Sequence, residues 1–224
     1  MTDRLWYAAY GSNISPGRLD CYLTGGRPAG ATRDYPGCRD TTEPDERVPL
    51  ELPGAVFFGW ESPSWGGGVA FYDPDASGRA LVTAYRLGAD QLADIWAQEM
   101  HRQPGADLDL DLLLRRGSLV AGPGRYERLL VVDEFGSDPV VTFTFPRGHR
   151  PAENPPSPAY ADTIVRGLVE THGLSEDVAR TYVASLAPPP ELYSLSKSVA
   201  LLCCWARRRR VARTGSVSTV PTTT

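Results

Sequence analysis

Lysine is almost missing from this chain: Lys197 is the only one. Arginine carries nearly all the positive charge, and the formal net charge is -4. That balance gives no basic surplus for nucleic acid and no acidic block for a solvating tail. Histidine is scarce too. His101, His149 and His172 are the whole set, and no two of them stand at ligand spacing on one helix, so no metal site is expected. The 4 cysteines, Cys21, Cys38, Cys203 and Cys204, contain no C-x-x-C pair. They suggest free thiols in a reducing cytoplasm and not a disulfide framework or a zinc site. Long apolar runs are lacking as well. The longest, near residues 199–206, is far shorter than the ~20 residues a membrane helix needs. The N-terminus, Met1-Thr2-Asp3-Arg4, runs directly into a strand-like segment with no secretory leader. A cytoplasmic protein without membrane or nucleic-acid partners is the expectation.

What the chain has in plenty is glycine and proline. The 22 glycines and 20 prolines are about 19% of the 224 residues, against roughly 12% in average usage. Many turns and long loops follow, and a helical bundle does not. The length suits one domain with a real core.

Hydrophobic patterning orders the elements. Residues 5–10 read as a buried strand that breaks at Gly11-Ser12-Asn13. Residues 24–54 read as loops. Residues 55–60 and 69–72 are strands on either side of Trp65-Gly66-Gly67-Gly68, and 80–87 is a third. Residues 90–100 have helical period, with Leu92, Ile95, Trp96 and Met100 on one face. Residues 102–124 look irregular. Residues 125–133 and 139–145 form a hairpin around 134–138. After a Pro-rich loop, Ser157-Pro158 starts a helix that Gly173 ends, and a second helix spans 175–186. Strands come first and helices last, which predicts an α+β fold with a curled or closed sheet. The domain is expected over 1–187. Residues 188–224 form an extension whose last 15 or so residues are low in complexity and read as disordered.

Glu99 is the most informative residue. It follows Leu92 by seven, Ile95 by four and Trp96 by three, so helical geometry puts it on the apolar face. Desolvation there disfavours the charged carboxylate, which suits such a group to take up and return a proton. On periodicity alone the plainer reading is a Glu at the edge of the stripe, reaching water or pairing with an arginine. His101, two residues on, should face away. The turn Tyr10-Gly11-Ser12-Asn13 leaves successive N–H groups without ladder partners, and such a nest can hold a carboxylate or an oxyanion; an ordinary turn is the alternative. Ser12 does not stand in a G-x-S-x-G frame. The glycines 66–68 allow close approach of a backbone or a ligand, or simply form a flexible tip.

Together these features resemble the γ-glutamylcyclotransferase-like family. Tyr10-Gly11-Ser12-Asn13 is similar to its Y-G-S-N signature, and Trp65-Gly66-Gly67-Gly68-Val69-Ala70 to its W-x-G-G-[IV]-A. The helix ending Gln98-Glu99 resembles the one that carries the family's catalytic glutamate, although Met100 stands where the family has glycine. Gly124-Arg125-Tyr126 resembles its G-x-Y, and residues 155–160 with Gly167 and Gly173-Leu174 its last helix and turn. The resemblance covers about residues 5–186. It implies a small mixed β-barrel flanked by helices and needs neither metal nor cofactor. It implies an intramolecular cyclotransferase that releases 5-oxoproline and a free amine or amino acid from a small-molecule γ-glutamyl amide. Glu99 would be the general acid/base, the Gly11, Ser12 and Asn13 backbone next to Tyr10 would hold the glutamyl end, and Tyr126 would help place it. The leaving group and the oligomeric state stay open, a homodimer included. Three other readings stand beside it. One is a non-catalytic member of the same fold that binds a glutamyl-like ligand. Another is acyl transfer through Cys21 or Cys38. The last is a partner or membrane contact through residues 199–205 and the arginines behind them.

Overall fold

The structure, a computed structural model, describes residues 4–28 and 33–188. Expectations for the chain end, including the 199–205 run, Cys203, Cys204 and the low-complexity tail, lie outside the described residues.

The first strand, β1 (Arg4–Ala9), is buried almost throughout and lies inside a six-stranded sheet. Its partners are β5 (Arg79–Gly88), antiparallel, and β8 (Asp138–Thr144), parallel. Outside these lie β2 (Glu46–Pro53) on one side and β7 (Arg128–Phe135) then β6 (Ser118–Val120) on the other, all antiparallel. A strand buried on both faces reads as a continuous apolar run, which is why residues 5–10 announce themselves.

The remaining strands, β3 (Ala55–Ser62) and β4 (Gly67–Asp73), pair only with each other, as a separate two-stranded sheet. The expected α+β class with mixed pairing is present, but the sheet is not a closed barrel. The tip of the hairpin pairs instead with the Pro-rich loop 151–157: Trp60 N–H donates to the Ala152 carbonyl at 2.9 Å, Asn154 N–H to Phe58 at 3.0 Å, and Gly68 N–H to Pro155 at 2.8 Å. The loop makes isolated bridges to both strands, Glu153 to Gly59 and Pro156 to Gly68. Gly68 permits this, since a Cβ there would strike the Asn154 carbonyl oxygen. The base of the hairpin leans on the main sheet through side chains, with Thr144 Oγ1 donating to the Tyr72 carbonyl at 2.6 Å.

The helices cover the sheet. α1 (Pro16–Leu23) follows β1 after a 3₁₀ turn, Ser12–Ile14, and buries Leu19, Tyr22 and Leu23. α2 (Ala89–Glu99) seals Leu92 and Ile95 completely, each worth about 1.5–3 kcal/mol of burial. α4 (Pro158–His172) begins as expected, with Ser157 Oγ accepting the Tyr160 N–H at 3.3 Å, and ends at the left-handed Gly173. α5 (Glu176–Ser185) follows, capped by Ser175.

The segment 102–124, expected to be irregular, holds α3 (Leu110–Arg116) as well as β6. Its acidic alternation does separate jobs. Asp109 caps α3 by accepting the Leu112 N–H at 2.8 Å, and Asp107 pairs with Arg39 at 2.7 Å. The 24–54 region likewise contains β2, whose Val48, Leu50 and Leu52 alternate with exposed or polar positions.

Candidate active site

One cleft gathers the ends of β1 and α2, the first residues of β4, the start of α1 and the segment leading into β7. All six residues singled out from the sequence, Tyr10, Gly11, Ser12, Asn13, Glu99 and Tyr126, line it. Glu99 is the last residue of α2 and is half-buried. Asn13 Nδ2 donates to Glu99 Oε1 at 3.1 Å and also to the Tyr7 hydroxyl at 3.1 Å. The carboxylate therefore has a fixed address, 86 residues along the chain from the turn that holds it.

The turn itself is tight: Ile14 N–H donates to Gly11 at 3.0 Å and Ser15 N–H to Ser12 at 3.1 Å. The first N–H groups of such a turn have no acceptor within it. The Tyr160 hydroxyl accepts the Ala70 N–H at 3.1 Å and lies against the Ser12 backbone. A Cβ on Gly11 would come within 3.0 Å of that hydroxyl.

Two tyrosines of the cleft, Tyr10 and Tyr126, are donors already in use. Tyr10 donates to the Phe143 carbonyl at 2.6 Å and Tyr126 to the Ala70 carbonyl at 2.7 Å. What these two contribute to the cleft is ring surface, Tyr126 being stacked on Phe71 with centroids 4.9 Å apart. Burial pushes the Tyr7, Tyr10 and Tyr126 hydroxyls well above the ordinary tyrosine range and Tyr160 up to about 12. All four stay protonated at neutral pH.

Sequence reasoning missed the cleft's two arginines. Arg18, on α1, is 5% exposed. Its guanidinium lies 4.4 Å from the Tyr22 ring centroid and 4.6 Å from that of Tyr35, and its Nη2 donates to both hydroxyls, at 3.1 and 2.9 Å. Nε and Nη1 are buried without a partner. Burial works against its charge, but Tyr22, Tyr35 and Glu99 outweigh it and hold the guanidinium above its ordinary value. Nothing in the local sequence marks Arg18, although Ser15-Pro16 with Leu19, Tyr22 and Leu23 would have placed it on a helix. Arg125 lies over the Trp60 ring at 4.2 Å and donates Nη2 to the Glu99 carbonyl at 3.2 Å. That bond satisfies one of the carbonyls that a helix end leaves free.

His101, expected to face away, also lines the cleft. The helix stops at Glu99, and His101 takes a left-handed φ of 60°, so helical facing no longer applies to it. Of the cysteines among the described residues, neither Cys21 nor Cys38 lines the cleft. Burial first, and then Asp94, pushes the Cys38 thiol up to about 12, and a thiol held protonated is a poor nucleophile. Among the described residues no group of three His, Cys, Asp or Glu side chains is placed to hold a metal ion, and no helix is long and apolar enough to cross a membrane.

No protein-family profile matches the sequence. Histone deacetylase 5 of Arabidopsis thaliana is 32% identical over 206 residues, which cover 83% of this chain and 31% of that protein. The chain thus spans about a third of the length of that curated relative. Among solved structures, an uncharacterized human protein aligns over 84% of this chain and 91% of its own with a TM-score of 0.51 and 16% identity. A γ-glutamyl cyclotransferase aligns over 84% and 90% with a TM-score of 0.47 and 16% identity. The likeness is one of fold. The chain shares the α+β architecture of the human protein, and its chemistry has to be argued from the cleft.

Proposed function

We propose that the chain is a cytoplasmic cyclotransferase acting on a small-molecule γ-glutamyl amide, with residues 1–187 as its catalytic domain and 188–224 as an extension. The observation that carries this reading is the Asn13–Glu99 hydrogen bond. It ties the carboxylate that lines the cleft to the 10–13 turn. Around them stand the features that a zwitterionic glutamyl end requires. Glu99 faces its ammonium, while the Gly11, Ser12 and Asn13 backbone and the unpartnered edge of Arg18 meet its carboxylate.

In the reaction Glu99 takes a proton from the α-ammonium. The freed amine attacks the γ-carbonyl carbon, forming the ring C–N bond and a tetrahedral oxyanion. Collapse breaks the bond to the leaving nitrogen, which receives two protons through Glu99, the one taken from the α-ammonium and a second given up by the ring nitrogen, so that the amine leaves as an ammonium. The products are 5-oxoproline and a free amine or amino acid, with no other atoms gained or lost. Because nucleophile and electrophile share one molecule, orientation and proton transfer are the main demands on the catalyst. Tyr10 and Tyr126 supply walls. The deacetylase named for the Arabidopsis relative is a chain of which the aligned part is 31%, and no deacetylation is proposed here.

The test is 5-oxoproline release from a panel of γ-glutamyl amides and peptides, wild type beside Glu99→Gln. Gln keeps an acceptor for Asn13 but removes the base, and the expected fall in kcat is roughly 10²–10⁴-fold. Undiminished turnover in Glu99→Gln rules Glu99 out as the base. A wild type that binds glutamyl compounds and converts none is instead the non-catalytic binder.

A further inference from the structure

Away from the cleft, the β6–β7 margin of the main sheet and the base of the β3–β4 hairpin enclose a second groove, of about 600 Å³. It shares no residue with the cleft. Its size falls within the roughly 300–1,000 Å³ of small-molecule sites. In the β6–β7 ladder Val120 stands opposite Arg128 and Ser118 opposite Leu130, so these four side chains share one face. All four line the groove, and Pro74, just past the end of β4, lines it too.

The charge of this groove is lopsided. Arg116, at the end of α3, Arg128 and Arg147 line it, against one carboxylate among the described residues, Asp75. Asp75 pairs with Arg147 at 3.7 Å, both being exposed, and nearby Asp73 pairs with Arg150 at 3.4 Å. Arg128 is the anomaly. It is 8% exposed, yet among the described residues it forms no ion pair, and its guanidinium makes a single hydrogen bond, from Nε to Ser118 Oγ at 3.2 Å. Nη1 and Nη2 have no acceptor there, and they stay open to solvent, in contrast to the sealed Nε atoms of Arg18 and Arg125. Burial first, and then the charge of Arg147, lowers the Arg128 guanidinium from its ordinary value, against the pull of Asp75 and Asp73. An arginine remains charged at neutral pH even so. A buried charge is ordinarily paired, and the place for its partner is the groove.

The shape selects the kind of anion. Arg116 and Arg147 are exposed, whereas Arg128 is buried. A membrane or the face of another protein would meet the first two and stop short of the third. A small ligand can enter. Three guanidinium groups against one carboxylate leave two positive charges, and a phosphomonoester carries about -1.5 to -2. The planar fork of arginine matches phosphate oxygens two at a time. The apolar lining beside it, with Val120 exposed and Pro74 half-buried, suits an apolar remainder. We propose that the groove binds a small phosphomonoester, with its phosphate on the Nη edge of Arg128 between Arg116 and Arg147 and its apolar part against Pro74 and Val120. This site is separate from the cleft and does not rest on the cyclotransferase reading.

The test is calorimetry on the full-length protein in a phosphate-free buffer, with phenyl phosphate, inorganic phosphate and phenol as probes. Phenyl phosphate should bind with a Kd below about 1 mM, at least about tenfold tighter than inorganic phosphate or phenol. Arg128→Gln should weaken it at least about tenfold. The double variant Arg116→Gln/Arg147→Gln, which changes only exposed side chains, should weaken it about two- to tenfold. Melting curves show that each variant is folded, and should Arg128→Gln fail to fold, the double variant decides. Because groove and cleft share no residue, a loss in either variant also shows that the probe was not sitting in the cleft. No binding of phenyl phosphate, phenol binding as tightly, or an affinity that survives in the folded variants overturns the proposal. Inorganic phosphate binding as tightly as phenyl phosphate overturns the organic ligand and makes the groove a site for the free ion.

Discussion

Gly167 lies in the middle of α4, where helix propensity alone makes Gly167→Ala stabilising by about 1 kcal/mol. The packing argues the opposite. A Cβ at this position would lie 2.6 Å from Ser15 N, 2.7 Å from Ile14 Cγ2 and 2.9 Å from Ile14 C. Two of those atoms are backbone, so no rotamer change relieves the clash, and α4 or the turn has to move. Overpacking of this kind costs about 1–3 kcal/mol. Taking the upper half of that range against the propensity gain leaves a net loss of about 1–2 kcal/mol, or roughly 2–8 °C in Tm for a domain of this size. Gly17, on α1, is the control, because nothing lies within 4 Å of a Cβ built there. Gly17→Ala should raise stability by about 0.4–1 kcal/mol. Scanning calorimetry on the two variants reads both signs in one experiment. If Gly167→Ala raises Tm as Gly17→Ala does, α4 does not clamp the 12–15 turn as described, and the placement of Tyr160 against Ala70 and Ser12 loses its support.

Arg18→Met removes a buried guanidinium with two unpartnered nitrogens but leaves the Tyr22 and Tyr35 hydroxyls without their donor; Tm should fall by no more than about 4 °C while KM for a γ-glutamyl substrate rises at least tenfold. A Tm drop above 4 °C with unchanged KM would make Arg18 a strut between Tyr22 and Tyr35 and not a ligand group. Burial lowers the His172 imidazole below its ordinary 6.5, against the opposing bond to the Val82 carbonyl. The unfolded chain therefore takes up this proton first, and stability falls as pH drops below about 6.5. His172→Gln should flatten that part of the curve in urea midpoints at pH 7.5 and 5.5, and an unchanged slope would clear His172 of the effect.

What the sequence made legible is what local rules govern. β1 is a plain apolar run, α2 a clear helical stripe, and α4 has both Ser-Pro start and Gly stop, so Glu99 could be placed on its face and the turn before Ile14 recognised. β2 escaped because Pro49 and Pro53 make it read as loop, and prolines are tolerated there only because it is an edge strand. α3 escaped because Asp107, Asp109 and Asp111 alternate like a solvated loop, whereas one is a cap and another pairs with an arginine 68 residues away. The element order left a curled or a closed sheet open and the resemblance implied the closed barrel, but strand closure depends on long-range partners that no local pattern reveals. Arg18 and Arg125 belong to the same class. An arginine says nothing of its burial until the tyrosines or the tryptophan that hold it are known. His101 was misjudged because, two residues past the end of α2, its facing is set by its own left-handed φ and not by the helix.

The prolines of β2 have a consequence for assembly. Among the described residues β2 has no strand neighbour on its outer side, and Pro49 and Pro53 have no N–H to offer a strand arriving there. The opposite edge, β6, is only three residues long. Neither margin makes a good template for extending the sheet into another molecule. A second copy of this chain, should one associate, would find no ready edge on the six-stranded sheet, so a dimer should leave that sheet's β-ladder hydrogen-bonding unchanged.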